Sequence, residues 1–151
     1  MPQVESSINI QGSRDFAYVM AKEMEKYPQY MESVQEVRIL TTDPIENSTI
    51  TQWVTNVDGR LIRWTEKDVF DDEAKTISYR QISGDLKKFE GEWRFQSVDG
   101  GTRVTLTVAF EFGIPMLAGL LNPILKKKTQ ANCDAMLLAI KEQVEKQSLV
   151  V

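Results

Sequence analysis

The first ten residues alternate between apolar or small side chains and polar ones, the pattern of a strand with one buried face. The positions on the buried side are Val4, Ser6, Ile8 and Ile10. Gly12 and Ser13 then break the alternation. The sequence therefore predicts a half-buried first strand that ends before Gly12.

After Ser13, apolar residues recur at helical spacing. Ser13 is suited to be the N-cap, and Asp15 places a carboxylate in the first turn, where the helix dipole favours it. The expected buried stripe consists of Phe16, Val19, Met20, Met24 and Tyr27, with Glu23 as its polar member. Because proline cannot continue a helix, Pro28 should end this one, and residues 27–31 should form a short second helical turn.

Between Val34 and Phe112, short β-rich runs alternate with turn sequences. The turns are Asp43-Pro44, Asp58-Gly59, Asp71-Asp72-Glu73, Ser83-Gly84-Asp85 and Asp99-Gly100-Gly101. Asp-Gly pairs favour tight antiparallel hairpins, whose central residues take positive φ. Six strands around these turns, together with the first strand, predict a bent antiparallel sheet of about seven strands.

The segment after Phe112 is apolar, rich in small residues and bounded by prolines, so residues 114–125 are interpreted as a lid or packed loop. Asn122 and Pro123 are suited to be the N-cap and first residue of a long helix. Its apolar stripe is Cys133, Met136, Leu137, Ile140 and Val144. A helix from Pro123 to about Gln147 would be roughly 37 Å long.

A helix of that length needs a large apolar surface to lie on, and only the sheet offers one. The predicted fold is therefore α+β, with a curved antiparallel sheet wrapped around the C-terminal helix and two short helices after the first strand. The chain has 151 residues, of which 42% are hydrophobic and 26% charged. That size and balance predict one domain, over residues 1–151.

Composition argues against several classes of function. A net charge of −4 argues against nucleic-acid binding, which needs clustered Lys and Arg. The absence of histidine excludes the usual Ser-His-Asp and Cys-His sites and most zinc sites, so neither a metal nor a cofactor is expected. One cysteine, no signal peptide and no long apolar run predict a cytoplasmic protein.

The order of elements resembles the helix-grip fold of the START and Bet v 1-like superfamily. Short motifs narrow the resemblance to the polyketide cyclase/dehydrase (aromatase/cyclase) and coenzyme Q-binding branch. They are Tyr27-Pro28, Gly59-Arg60-Leu61-Ile62-Arg63-Trp64, Gly91-Glu92-Trp93-Arg94-Phe95 and Gly100-Gly101-Thr102-Arg103-Val104. The resemblance implies a space between sheet and helix that holds a lipid, a quinone or a polyketide intermediate.

The resemblance also implies where cyclase chemistry would reside. Cyclases of this family are thought to use two arginines from neighbouring strands and a tyrosine near the end of the second helix. The matching positions here are Asp68, Gln81 and Val34, which argues against cyclase chemistry. A shift of one residue in the alignment would bring Arg80 to the second arginine position.

Strand alternation turns two acidic residues toward the interior. Residues 63, 65 and 67 form the solvent face of their strand, so Glu66 and Asp68 lie on the other face beside Trp64. Two buried carboxyls in this arrangement would have raised pKa values, through desolvation and mutual repulsion, and one could act as an acid or hydrogen-bond donor.

A structural role for the same carboxyls is the alternative. Asp68 lies near a turn, and Glu66 could pair with Arg80 or Lys87 on neighbouring strands.

The same alternation selects residues that could contact a ligand. The predicted ligand-binding residues are Trp64, Tyr79, Gln81, Phe89, Trp93, Phe95, Leu117 and Met136. The aromatic side chains suit a ring-shaped or isoprenoid ligand, and Gly91 leaves room between them. Tyr79 and Gln81 offer polar contacts to a ligand carbonyl. The alternative is that the aromatic residues only fill the core.

Three functions remain open at this point. The first is binding or transport of a hydrophobic small molecule. The second is an aromatase/cyclase or dehydrase-like enzyme, in which Glu66, Asp68, Tyr79 or Arg80 would move protons. The third is a membrane-surface module, based on residues 114–125 and the lysines at 126–128. The missing cyclase positions and the aromatic inward face favour binding, and the oligomeric state stays open.

Overall fold

The computed structural model describes residues 2–57, 59–111 and 115–148, with side chains throughout except at 115–122 and 148. The elements in chain order are β1 (Gln3–Ile10), α1 (Arg14–Lys22), a 3-10 helix (Met24–Gln29), β2 (Val34–Asp43), β3 (Ser48–Val57), β4 (Arg60–Asp71), β5 (Thr76–Gly84), β6 (Lys88–Val98), β7 (Gly101–Glu111) and α2 (Pro115–Ser148). The predicted α+β class is confirmed.

The strands form one antiparallel sheet in the order β1-β7-β6-β5-β4-β3-β2. Strands β2 to β7 are sequential neighbours, which confirms the predicted meander, and β1 pairs with β7 to complete a seven-stranded sheet. Gly59 and Gly100 take φ values of 83° and 85°, as the Asp-Gly turns require. Asp58 lies outside the described residues.

The start of α1 agrees with the sequence, but its buried face differs from the prediction. Ser13 Oγ accepts a hydrogen bond from the Phe16 N–H at 3.1 Å, which confirms the N-cap. The buried residues of α1 are Ala17, Tyr18, Met20 and Ala21. Phe16 and Val19, which were predicted in the stripe, are 36% and 53% exposed.

The cause of this error is a change of helix type. Helix α1 ends at Lys22, before the predicted end at Pro28, and Pro28 lies within the 3-10 helix that follows. Met24 and Tyr27 are buried as predicted, but they belong to the 3-10 helix. A 3-10 helix has three residues per turn, whereas an α-helix has about 3.6. The buried positions Met24 and Tyr27 therefore do not predict which face of α1 is buried, and Phe16 was assigned to the wrong face.

Helix α2 begins earlier than predicted. Residues 115–125 are helical, so the loop assigned to 114–125 and the start at Pro123 are both wrong. Pro115 occupies the first helical position, which proline favours, and Pro123 lies inside the helix. Most of residues 116–121 favour helix. With 34 residues the helix is about 51 Å long.

The sheet wraps the C-terminal part of α2, which confirms the helix-grip prediction. The buried positions of the helix are Cys133, Leu137, Ile140 and Val144, as the stripe predicted, and Met136 is partly buried. Three hydrogen bonds between described residues join α2 to β1. Ser6 Oγ donates to Asp134, Gln130 Nε2 donates to the Glu5 carbonyl at 3.1 Å, and Lys141 Nζ donates to the Asn9 carbonyl at 3.1 Å. None of the described helices has the length and apolar character needed to cross a membrane.

Candidate functional site

A small cavity of about 70 Å³ lies between the inner face of the sheet and α2. Its aromatic wall consists of Trp53, Trp64, Tyr79, Phe89 and Trp93, which include every tryptophan of the chain. Its polar side chains are Thr55, Glu66, Thr129 and Asn132. Met24, Leu106, Val108, Cys133 and Met136 complete the wall. The cavity is thus apolar with one acidic group.

The β3–β4 hairpin sets one side of this wall. Its turn aligns Val57 with Arg60, so Trp53 is directly opposite Trp64 on the same face. Their rings stack with centroids 5.5 Å apart and planes 9° apart. Trp53 is not among the residues predicted from the sequence. The predicted Asp58-Gly59 turn would have placed it opposite Trp64, because cross-strand partners in a hairpin follow from the turn.

Glu66 and Asp68 lie inside the protein, on the face that strand alternation predicted. They are 3% and 0% exposed. Glu66 lines the cavity, and its Oε1 accepts a hydrogen bond from Trp64 Nε1 at 2.7 Å. Asp68 Oδ2 accepts a hydrogen bond from Thr51 Oγ1 at 2.6 Å, and Thr51 in turn accepts one from Trp53 Nε1 at 2.8 Å.

The two carboxyls are electrostatically coupled. Burial, followed by the negative charge of Asp68, holds the pKa of Glu66 well above its ordinary value. Burial also raises the pKa of Asp68, although hydrogen bonds from Glu66, Thr51 and Thr49 oppose that rise. Apart from a proton on Glu66, Asp68 Oδ1 has no donor among the described residues. A protonated Glu66 that donates to Asp68 satisfies both groups.

Tyr79 uses its hydroxyl within the sheet. Its O–H donates to the Thr107 carbonyl at 2.6 Å, through the space beside Gly91. A Cβ at position 91 would stand 1.9 Å from the Thr107 carbonyl oxygen and 2.6 Å from the Tyr79 hydroxyl. The room left by Gly91, expected to serve a ligand, is therefore occupied by Tyr79. Burial raises the pKa of Tyr79 well above its ordinary value, so the hydroxyl stays neutral.

Three predicted ligand contacts are not among the described wall residues. Gln81 donates from Nε2 to the Leu86 carbonyl at 2.6 Å and so braces the β5–β6 turn. Phe95 is 1% exposed and packs edge-on against Tyr18 of α1, at 5.6 Å between ring centroids. The Leu117 side chain lies outside the described residues. Trp64, Tyr79, Phe89, Trp93 and Met136 do line the cavity.

The predicted pairing of Glu66 with Arg80 or Lys87 is wrong. Arg80 is aligned with Lys67 on β4, which places it on the outer face of the sheet, where it is exposed. Lys87 lies 3.6 Å from Glu111. The error has a physical cause: the partner of Glu66 on β5 is Gln81, and because neighbouring strand residues alternate sides, Arg80 faces away from Glu66.

The cavity borders an open groove of about 540 Å³ on the surface. Tyr30, Asn56, Gly59 and Leu138 contribute to the groove, and Met136 lines both the groove and the cavity. Met136 is the one described residue that lines both spaces. Because methionine is flexible and unbranched, its side chain is easily moved.

A larger depression, of about 800 Å³, lies on the outer face of the sheet, away from α2. Charged side chains line it, among them Glu46, Lys67, Arg80, Glu90 and Glu92. Lys67 and Glu46 form an ion pair of 2.6 Å there. Its charge and openness to water are those of a solvated surface, so the inner cavity is the better candidate for an apolar ligand.

Comparison with known proteins agrees with this architecture. A family model described as polyketide cyclase / dehydrase and lipid transport matches residues 10–137. The chain belongs to this family. Its position there confirms the resemblance that the turn and strand motifs suggested. The one-residue shift that would supply a cyclase arginine selects Arg80, whose side chain lies on the outer face.

Several solved structures share the fold over nearly the whole chain. TTHA0849 from Thermus thermophilus is 30% identical over 97% of this chain and 99% of its own, with a TM-score of 0.91. Zhui aromatase/cyclase from Streptomyces sp. R1128 is 20% identical over 97% and 95%, with a TM-score of 0.86. A START superfamily protein from Mycobacterium smegmatis is 17% identical over 96% and 98%, with a TM-score of 0.79.

Proposed function

We propose that this chain binds a hydrophobic small molecule in the cavity between the sheet and α2. The observation that carries the proposal is a buried space with an aromatic wall beside a surface groove. Among the described residues, Met136 alone lines both spaces. Binding would be driven by burial of apolar ligand surface at about 25 cal/mol per Å². The family's range, which includes lipid transport, supports the same function.

The size of the cavity sets a condition on this function. Ligand sites usually enclose about 300–1,000 Å³, whereas this cavity has about 70 Å³. A larger ligand therefore needs the side chain of Met136 to turn toward the groove, or α2 to move away from the sheet. The Met136 side chain is the smaller of these two motions.

Truncation of Met136 tests this condition. The Met136→Ala variant should bind toluene roughly fivefold to tenfold more tightly than the wild type, because about 1 kcal/mol of steric cost is removed. The measurement is isothermal titration calorimetry with toluene. Val19→Ala is the matched control, since Val19 is an exposed helical residue on α1, and its toluene affinity should equal that of the wild type. Equal affinities for all three proteins would contradict the role given to Met136.

A second candidate function is catalysis of cyclisation or dehydration on a polyketide-like chain. The observation that favours it is the protonated Glu66 in the cavity wall, which could donate a proton to a bound carbonyl. The position of Arg80 on the outer face weighs against it. If it holds, adding the protein to a polyketide synthase that releases unreduced chains will change the ratio of cyclised products, and Glu66→Gln will remove that change without unfolding the domain.

A further inference from the structure

Glu66 is the one acidic residue among the described residues that line the cavity, and Asp68 follows it on the same inward face of β4 and interacts with it electrostatically. Both side chains are almost fully buried. Two adjacent anions without a counter-ion are too costly at that depth, so the pair keeps one proton and a net charge of −1.

No cation faces this pair within the described part of the chain. The titratable groups that neighbouring elements turn toward the pair are Tyr27 from the 3-10 helix and Tyr79 from β5, and α2 contributes Cys133 to the same cavity. Burial raises the pKa of each, to about 12 for Cys133, so all three are neutral at pH 7. Lys67 on the outer face of β4 is paired with Glu46.

The donors of the cavity wall are largely committed. Trp64 donates to Glu66, and Tyr79 donates to the Thr107 carbonyl. Asn132 accepts a hydrogen bond from Ser33 at 2.7 Å and has Met136 Sδ within reach of its amide at 4.0 Å. The hydroxyls of Thr55 and Thr129 can donate or accept, so they do not discriminate between ligands that carry a donor and ligands that carry an acceptor. The unbalanced feature of the site is the net negative charge of the Glu66–Asp68 pair.

We propose that Glu66 and Asp68 select the polar group of the ligand, so that the cavity takes a molecule with an O–H or N–H donor, above all a cationic amine, and rejects carboxylates and phosphates. This inference rests on the proposed function, because it concerns the ligand of the same cavity. Chemically, an ammonium group would pair with the dyad in a low-dielectric site. A carboxylate would meet a like charge there.

Four small ligands with one ring scaffold test this selectivity, namely toluene, benzyl alcohol, benzylamine and benzoate. Calorimetry at pH 7 with wild-type protein should give benzylamine the highest affinity, at least about tenfold above that of benzoate. Benzylamine and benzoate carry opposite charges of similar size, so a merely apolar cavity would reject both. Preference for the amine therefore reports the charge of the site.

Variants assign the preference to the dyad. Asp68→Asn keeps the shape of the side chain and removes the charge of the pair, because Glu66 holds the shared proton, so the affinity for benzylamine should fall at least about tenfold, to that of toluene or below. Glu36→Gln removes one carboxylate from the exposed face of β2 and should leave the four affinities unchanged. If Asp68→Asn does not fold, the wild-type series of four ligands still decides whether the site prefers the amine.

The outcomes separate the two proposals. Binding of toluene with equal affinities for benzylamine and benzoate overturns the selectivity and leaves the cavity as a binding site. An unchanged ratio of benzylamine to toluene affinity in Asp68→Asn overturns the role of the dyad. Failure of all four ligands to bind contradicts the proposed function itself and the selectivity with it.

Discussion

The free energy of unfolding is expected to fall as the pH rises from about 5 to about 8, and Glu66→Gln is expected to remove most of this fall. The folded protein raises the pKa of Glu66 far above the ordinary value of 4.5. Between the unfolded and the folded pKa, the folded state therefore holds a proton that the unfolded state has lost. Each such proton costs up to about 1.4 kcal/mol of stability per pH unit. The stability is fully present below pH 4.5 and is lost as the pH rises.

The composition makes this pH window unusually clear. No histidine titrates in it, because the chain has none. The lowered pKa values of Asp72 and Glu145 lead to a loss of stability only under more acidic conditions, as the pH falls below their ordinary values. The thiol of Cys133, with a pKa raised from 9.0 to about 12, matters only at more alkaline pH. The buried carboxyls are thus the main source of any slope.

Urea denaturation at a series of pH values measures the slope. Glu36→Gln is the control, since it removes an exposed carboxylate of the same type and should keep the wild-type slope. A wild-type stability that stays constant or increases between about pH 5 and about pH 8 would falsify the assignment of a proton to the Glu66–Asp68 pair.

Gly91→Ala is expected to destabilise the protein by more than about 3 kcal/mol, or to prevent folding. The added Cβ would lie 1.9 Å from the Thr107 carbonyl oxygen, a backbone atom that cannot turn aside. Room for the methyl group requires β6 and β7 to separate. The same movement would break the hydrogen bond from Tyr79 to Thr107. Denaturant unfolding monitored by circular dichroism measures the loss.

Two further variants identify the cause. Gly59→Ala should cost only about 1 kcal/mol, because its Cβ would meet nothing within 4 Å and the remaining cost is the strain of φ +83°. Adding Tyr79→Phe to Gly91→Ala removes the contact with the hydroxyl but leaves the clash with Thr107, so it should not restore stability. A Gly91→Ala protein within about 1 kcal/mol of the wild type, on the order of an ordinary surface change, would show that the strands yield easily.

The sequence alone was sufficient to predict the sheet and to identify the residues of β4 that face inward. Strand alternation has a period of two, so one solvent-facing residue such as Lys67 fixes the direction of Glu66 and Asp68. Turn residues such as Gly59 and Gly100 have a local requirement for positive φ, which is why the meander could be predicted from the chain.

Features that depend on register or on tertiary packing could not be predicted in the same way. The register irregularity in the β4–β5 pair, between Thr65 and Glu66, has no turn signal in the sequence. The start of α2 was ambiguous because Pro115 and Pro123 are equally suited to the first helical position. The use of the space at Gly91 depends on how Tyr79 reaches β7, a contact between residues far apart in the chain.

The most direct test of the central claim is a crystal structure of the protein soaked with bromobenzene, in which anomalous scattering from bromine locates the ligand. A bromine peak is expected between the sheet and α2, within contact of Trp64, Trp93 and Met136. Bromine peaks only on the outer surface, with ordered water or undisturbed side chains filling the inner cavity, would contradict that claim.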